Sequence, residues 1–314
     1  MWERSTRTAS EIYPTIKTVK TYEALLEDKS IELLIINTPT HTHFEYAMKA
    51  LQAGKSVVVE KAFTTNVHEA VTLKQTATQL GLNLCVYHNR RWDSDFLTVQ
   101  KIITEQNLGI IHEANFRFDR YKPGIGNKAH KEQPGPGAGL LNDLGPHLID
   151  QALYLFGMPE KIFSDIRTLR QESLVDDAFD LLFFYPSLRV RLSSSLLVAE
   201  PVPAFVLHGN KGSFIKSRAD VQEAALLAGQ TPYSSNWGIE PETAKGILHA
   251  FSDHQNFRKT VETERGNYGI FYEQLYDALT QQKPLPVTAD DGIKVMQILE
   301  AAKKSQDKQI VIAI

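Results

Sequence analysis

Residues 31–87 read IELLIINTPTHTHFEYAMKALQAGKSVVVEKAFTTNVHEAVTLKQTATQLGLNLCVY, and this stretch decides the fold. It holds three short apolar runs, 31–37 (IELLIIN), 56–60 (SVVVE) and 82–87 (LNLCVY). Continuous runs of that length are expected of strands buried on both faces of a parallel sheet. Between them, 44–53 and 67–80 carry helical periodicity, and Gly54 and Gly81 follow as helix stops. Strand and helix alternating at this spacing make right-handed βαβ units, so the first half is expected to be α/β with a parallel sheet. Residues 10–13 and 22–26 read as short helical pieces, and nothing before them reads as a first strand.

The pattern changes after a helix expected at 96–105. A long strand is expected over 110–121, with Phe116 and Phe118 on one face and Arg117 and Asp119 on the other. A helix at 140–156 precedes strand candidates at 161–169, 178–185, 188–198 and 204–208, joined by turn chemistry such as YPS and GNKG. A helix at 221–228, a polar loop at 231–242, helices at 267–281 and 290–305, and an edge strand at 309–314 complete the chain. The expectation is an α/β domain over 1–108, then an α+β domain over 109–314 with a large, open-faced, mostly antiparallel sheet.

Composition narrows the function. A net charge of -3 gives no electrostatic reason to expect nucleic acid or an anionic membrane as partner. Cys85 is the sole cysteine, which excludes an intrachain disulfide and a cysteine-based zinc cluster. No apolar run approaches the ~18–20 residues that span a bilayer. The opening MWERSTRTAS lacks the apolar core of a signal peptide, so a cytoplasmic protein is expected.

Candidate chemistry gathers at a few loops. The stretch 134–150, PGPGAGLLNDLGPHLID, turns from a glycine-rich loop into a helix-forming run, and Pro146 suits an early helix position. Asp143 and His147 stand four apart, so on one continuous helix they share a face. A carboxylate there could fix the tautomer of the imidazole and raise its basicity; on spacing alone an ordinary helix start, with Asp143 as N-terminal charge and His147 half-buried, is the somewhat better fit. Glu60 and Lys61 end the second apolar run, where polar groups face the crevice of an open α/β sheet. The two histidines of the 37–43 loop lack carboxylate support, so no metal site is assigned. The 88–92 loop, HNRRW, reads as a salt-bridged domain junction or as part of the same edge.

Together, Glu60-Lys61, the loop NTPTHTH and GAGLLNDLGPHLID resemble the Gfo/Idh/MocA family of NAD(P)-dependent oxidoreductases, which act on sugars, inositols and related polyols. The resemblance covers nearly the whole chain. It implies a Rossmann-type domain, then a domain whose open sheet forms a homodimer or higher homo-oligomer contact. It implies Lys61, Asp143 and His147 as the catalytic set: His147 takes the hydroxyl proton, Lys61 polarises the same oxygen, and Asp143 orients His147. It places Asn37, Thr38, Pro39, His41, Glu60, Lys61 and Asn89 around the cofactor. Glu3 then stands where an acidic residue would bind the ribose, favouring NAD, whereas Arg4 and Arg7 would suit the 2′-phosphate of NADP. Substrate choice is expected from Arg117, Tyr121, Asn127 and the loop near Trp237. A non-catalytic regulator on the same scaffold is the rival reading.

Two departures from the family pattern carry expectations of their own. Glu-Lys-Pro is Glu60-Lys61-Ala62 here. A cis bond would cost a non-proline residue roughly 3 kcal/mol, so a trans bond and a shifted Lys61 are expected. No GxGxxG occurs in the α/β half, so the Rossmann-type sheet is expected to be N-terminally incomplete by about one βα unit, some ~30 residues, with weakened dinucleotide affinity.

Overall fold

The computed structural model describes residues 1–2, 9–11, 13–232, 234–252 and 255–314. In chain order, α1 (Tyr22–Glu27), β1 (Leu33–Ile36), α2 (His43–Gln52), β2 (Ser56–Glu60), α3 (Val67–Gln79) and β3 (Leu84–Tyr87) build the first unit. The strands pair in parallel in the order β1-β2-β3. Asn66 starts α3 with its side chain accepting the Glu69 N–H at 2.9 Å. Gly54 and Gly81, at φ +76° and +65°, turn the chain out of α2 and α3. β2 is buried on both faces as expected, but β1 is not: Ile35 is 50% exposed, because β1 is the outer strand and no described element covers that face.

A second sheet follows α4 (Ser94–Thr104). Its strands are β4 (Ile111–Arg117), β5 (Lys161–Arg167), β6 (Ala178–Phe184), β7 (Arg189–Ser195), β8 (Phe205–Gly209), β9 (Gly212–Lys216), β10 (Gly246–Ser252), β11 (Gln255–Val261) and β12 (Ile312–Ala313). They lie in the order β11-β10-β9-β8-β4-β7-β6-β5-β12, and only β4 with β7 is parallel. The helices that accompany them are α5 (Ala129–Glu132), α6 (Leu140–Asp143), α7 (Gly145–Phe156), α8 (Val221–Leu227), α9 (Gly269–Gln281) and α10 (Ala289–Lys308). One face of the sheet is sealed: Leu181, Leu192, Phe116 and Phe205 are buried side by side, and α7 and α10 pack on it. The opposite row keeps Arg191 and Ile215 exposed, as an open-faced sheet requires.

The helix expected over 140–156 is two helices. Within one continuous helix the Pro146 ring would clash with the carbonyl four residues back, so α6 ends at Asp143 and α7 restarts at Gly145 with Pro146 in its first turn. The His147 N–H donates to Leu144 O at 3.2 Å, leaving the Asp143 carbonyl without its helical partner. At the head of α6, Gly139 has φ +86°, and a Cβ there would sit 2.0 Å from Asp176 Oδ1. Only glycine lets Asp176 approach and accept the Leu141 N–H at 2.6 Å.

Candidate active site

The carboxyl ends of β1 and β2 bring two loops together. His43, buried at the start of α2, spans them: its Nε2 lies 2.8 Å from Thr38 O and its Nδ1 2.9 Å from Ala62 O. The Lys61–Ala62 bond is cis, correcting the expected trans bond. Ala62 and Phe63 are buried, and His43 faces both their carbonyls, so the surroundings set this turn without proline. Glu60 Oε2 accepts the Lys61 N–H at 3.1 Å, and burial pushes its carboxyl up while the Lys61 charge pulls it down.

Lys61 reaches across to the second unit. Its Nζ donates to Asp143 O at 2.6 Å and to Asp143 Oδ1 at 3.1 Å. The carbonyl it finds is the one released by the break before Gly145. Lys131, from α5, donates to the same Oδ1 at 2.6 Å. Burial would raise the Asp143 carboxyl, but the two lysines outweigh it and hold it well below the carboxylate range. Burial lowers the pKa of Lys61, Asp143 opposes that, and Lys131 lowers it further.

His147 differs from expectation. Its Nδ1 is sealed and without a hydrogen-bond partner, and Asp143 does not orient it, because the helix break and the two lysines claim that carboxylate. The ring is 7% exposed and stacks near Phe118 with centroids 6.4 Å apart. Its basicity is reduced, not raised: burial first, then the charges of Lys61 and Arg90, hold it well below the ordinary histidine value. It is a neutral imidazole.

Two adjoining cavities meet at Asp143 and Lys131. The smaller, about 280 Å³, is lined by Asn37, Thr38, Pro39, Glu60, Lys61 and Asn142 among others. The larger, about 340 Å³, is lined by Arg120, Lys122, Asn127, Lys128, Gly139 and Asp176 among others. The structure thus gathers Asn37, Thr38, Pro39, Glu60, Lys61 and Asp143 of the candidate set around one cavity. His41 is exposed on the turn Thr40–Thr42, and Asn89 is buried at the head of the turn Asn89–Trp92. Glu3 and Arg4 lie outside the described residues, as does Arg7. Of the residues expected to choose substrate, Asn127 lines the larger cavity, while Arg117 is engaged by Asp119 at 2.7 Å. Trp237 is buried and donates its Nε1–H to Gln222 at 2.9 Å, so it belongs to the core of that loop and not to a substrate wall.

Sequence reasoning missed Lys131 and His43. His43 had a signal, a histidine two residues from another on a strand-end loop; Lys131, in a polar run, had none. The 88–92 loop is the salt-bridged junction: Arg91 donates Nε to Asp150 Oδ2 at 2.9 Å and Nη2 to Oδ1 at 2.6 Å, both residues buried. Beside it, Arg90 donates to Asp93 at 2.9 Å and to Asp220 at 2.7 Å.

This arrangement has known counterparts. Residues 2–88 match the model of an oxidoreductase family, NAD-binding Rossmann fold, and residues 100–314 match that family's C-terminal alpha/beta domain. The chain is 37% identical over 302 residues to scyllo-inositol 2-dehydrogenase (NADP(+)) IolW of Bacillus subtilis, covering 96% of this chain and 84% of that protein. A shorter match, 30% identical over 139 residues, joins 44% of this chain to 39% of the D-glucoside 3-dehydrogenase of Escherichia coli. An oxidoreductase from Bacillus cereus superposes with a TM-score of 0.91 at 33% identity, covering 100% of this chain and 89% of that one. No helix among the described residues is long and apolar enough to cross a membrane. With both family models matched along nearly its whole length, this chain is an oxidoreductase of the Gfo/Idh/MocA family.

Proposed function

We propose that the protein transfers a hydride between a nicotinamide dinucleotide and a secondary carbinol of a sugar, inositol or related polyol, with Lys61, Asp143 and His147 as its working set. The observation that carries the reading is Lys61 Nζ fixed by Asp143 on a cavity it shares with Asn37, Thr38, Pro39 and Glu60. Those strand-end residues suit the nicotinamide end of the cofactor: the cavity opens outside the carboxyl ends of parallel strands and is lined by polar groups. When bound, the dinucleotide supplies the hydride acceptor or donor. Asn37, Thr38, Pro39 and Glu60 border it in this reading, with His41, Asn89, Glu3 and Arg4 further along its length.

The protein's own part is to manage the oxygen. Lys61, as ammonium, polarises the carbinol oxygen and stabilises the negative charge that develops as hydride leaves. Asp143 holds Lys61 in place and keeps it charged against the burial that would neutralise it. His147, its charged form disfavoured by burial, is neutral at ordinary pH and in this reading accepts the hydroxyl proton at Nε2, while its Nδ1 is sealed. In this division of labour residues 1–108 carry the cofactor and 109–314 the substrate. Two copies pair through the open face of the larger sheet, where Ile215 and Phe251 are exposed. The test is the change in nicotinamide absorbance with NAD+ and NADP+ against a panel of inositols and aldoses, wild type beside Lys61→Met and His147→Asn. Turnover that disappears in both variants is expected; turnover that survives Lys61→Met overturns the assignment. Light scattering in the same buffer checks the dimer.

A further inference from the structure

Resting on that reading, we propose that the substrate carries an anionic group, a carboxylate or a phosphate, on the polyol chain, bound in the larger cavity by Arg120, Lys122 and Lys128. The cavity adjoins the one that Lys61 lines, sharing Asp143, Lys131 and Lys128 with it. Its walls hold five cations, Arg120, Lys122, Lys128, Lys131 and Arg170, against three acids, Glu132, Asp143 and Asp176. Every acid is already engaged. Glu132 accepts from Arg170 at 2.8 Å and from the Gly126 N–H at 2.9 Å. Asp176 caps α6, and Asp143 is divided between Lys61 and Lys131. Arg170 is used up in turn, by Glu132 and by Asp177 at 3.0 Å.

That leaves Arg120, Lys122 and Lys128 with no carboxylate partner among the described residues. They are not arbitrary surface cations. The Arg120 and Lys122 N–H groups donate to Ser195 O at 3.0 Å and Leu196 O at 2.7 Å, which ties the chain just beyond β4 to the end of β7. Both side chains line the larger cavity. The Arg120 guanidinium rests 5.2 Å from the centroid of Phe118, the ring that also neighbours His147. Asp143, which Lys61 contacts, lines both cavities, so a carbinol at Lys61 has these charges in the adjoining cavity. A neutral polyol would leave the cavity's three cations without a partner; an anion satisfies them.

The probes are matched: D-gluconate, D-glucuronate and D-glucose 6-phosphate against D-glucose and scyllo-inositol, titrated calorimetrically into wild-type protein, Arg120→Ala and Lys122→Glu. Lys122 is exposed, so its charge reversal spares the fold. Expected is binding of an anionic probe on the order of ten-fold tighter than its neutral counterpart. That preference is lost in both variants and in about 1 M salt, where the screening length is about 3 Å. The carboxylate and phosphate arms separate the two sources of charge. Equal affinity for neutral and charged probes, or a preference that survives both variants, overturns the inference. Hydride transfer to or from neutral polyols is scored separately, so that the oxidoreductase reading stands or falls on its own assay.

Discussion

Two clusters of charge flank His147, and they use their valences in opposite ways. At the junction of the two units, Arg91 and Asp150 satisfy each other through two parallel bonds, and Arg90 is shared by Asp93 and Asp220. Asp93 also accepts the Tyr268 hydroxyl at 2.7 Å, and burial pushes its carboxyl up to about 6 against the pull of Arg90. In the cleft, one carboxylate serves two lysines, and the side chains of Lys61, Asp143 and Lys131 remain 17%, 19% and 38% exposed. The same residue types do different work. Buried cations matched by carboxylates, with Asp291 also 3.6 Å from Arg91, hold two units in register, while a cluster with cations to spare beside a cavity is equipped to meet a substrate.

The sharpest way to break that contrast is to open the closed pair. Asp150→Ala removes both hydrogen bonds of the buried Arg91 guanidinium and leaves it only Asp291, whose Oδ2 lies 3.6 Å from Nη2, which is expected to cost about 3 kcal/mol. Urea unfolding would show it, and a loss below about 1 kcal/mol would mean the junction is not what secures the two units. Lys61→Met asks the converse of the cleft. Asp143 keeps Lys131, so the melting temperature should hardly move, while kcat/KM falls by about 10²–10³-fold. A variant that loses stability and activity together would place Lys61 in the scaffold instead.

How far this contrast could be read beforehand depends on how local its causes are. β2 and β3 were plain, because a strand covered on both faces is a continuous apolar run. The hairpin of β10 and β11 was not, because GILHAFS and QNFRKTV carry polar residues on strands at the sheet's rim and show no clean alternation. Lys61, Asp143 and His147 stood out as residues, but their couplings did not. Spacing alone joins Asp143 to His147. The break at Pro146 parts them and delivers the Asp143 carbonyl to Lys61, 82 positions away in the chain. Lys131, which divides Asp143 with Lys61, arrives from α5, a single helical turn in a polar run that no periodicity marks. Local pattern reports elements; nonlocal charge sharing appears only once the loops are folded.

Acid sharpens the comparison from the side of stability. His43, His88 and His147 are each lowered below the ordinary histidine value, chiefly by burial. A group whose folded pKa is depressed contributes stability that is present above its unfolded value and lost as pH falls below it. The loss should therefore begin near pH ~6.5. Asp93, raised to about 6, works the other way, since the native state binds its proton first as pH falls. His130 is lowered likewise, and Glu60, Asp95, Asp176 and Glu240 are raised like Asp93. Because the histidines titrate from ~6.5 in the unfolded chain and the carboxyls from ~4, destabilisation is the expected net outcome, of about 1 kcal/mol between pH ~6.5 and ~5.5. Thermal melts across that range test it; a melting temperature that rises on acidification would show that the raised carboxyls outweigh the histidines.

The smallest effect probes the shared carboxylate itself. Lys131 lowers the pKa of Lys61 by its charge and takes part of Asp143 Oδ1. Lys131→Met removes both influences, and each change favours the ammonium form of Lys61. If charged Lys61 polarises the carbinol oxygen, kcat/KM for oxidation falls at alkaline pH as Lys61 loses its proton, at a pKa below the ordinary lysine value. Lys131→Met should then carry that limb upward by up to about 1 pH unit. A base at Lys61 would instead give a limb on which activity rises with pH, and the variant would carry that limb upward too. The sign of the slope thus fixes the role of Lys61, and the shift fixes the coupling. A profile indifferent to Lys131 would mean that the two lysines do not share Asp143, and the cleft would then be as closed upon itself as the junction.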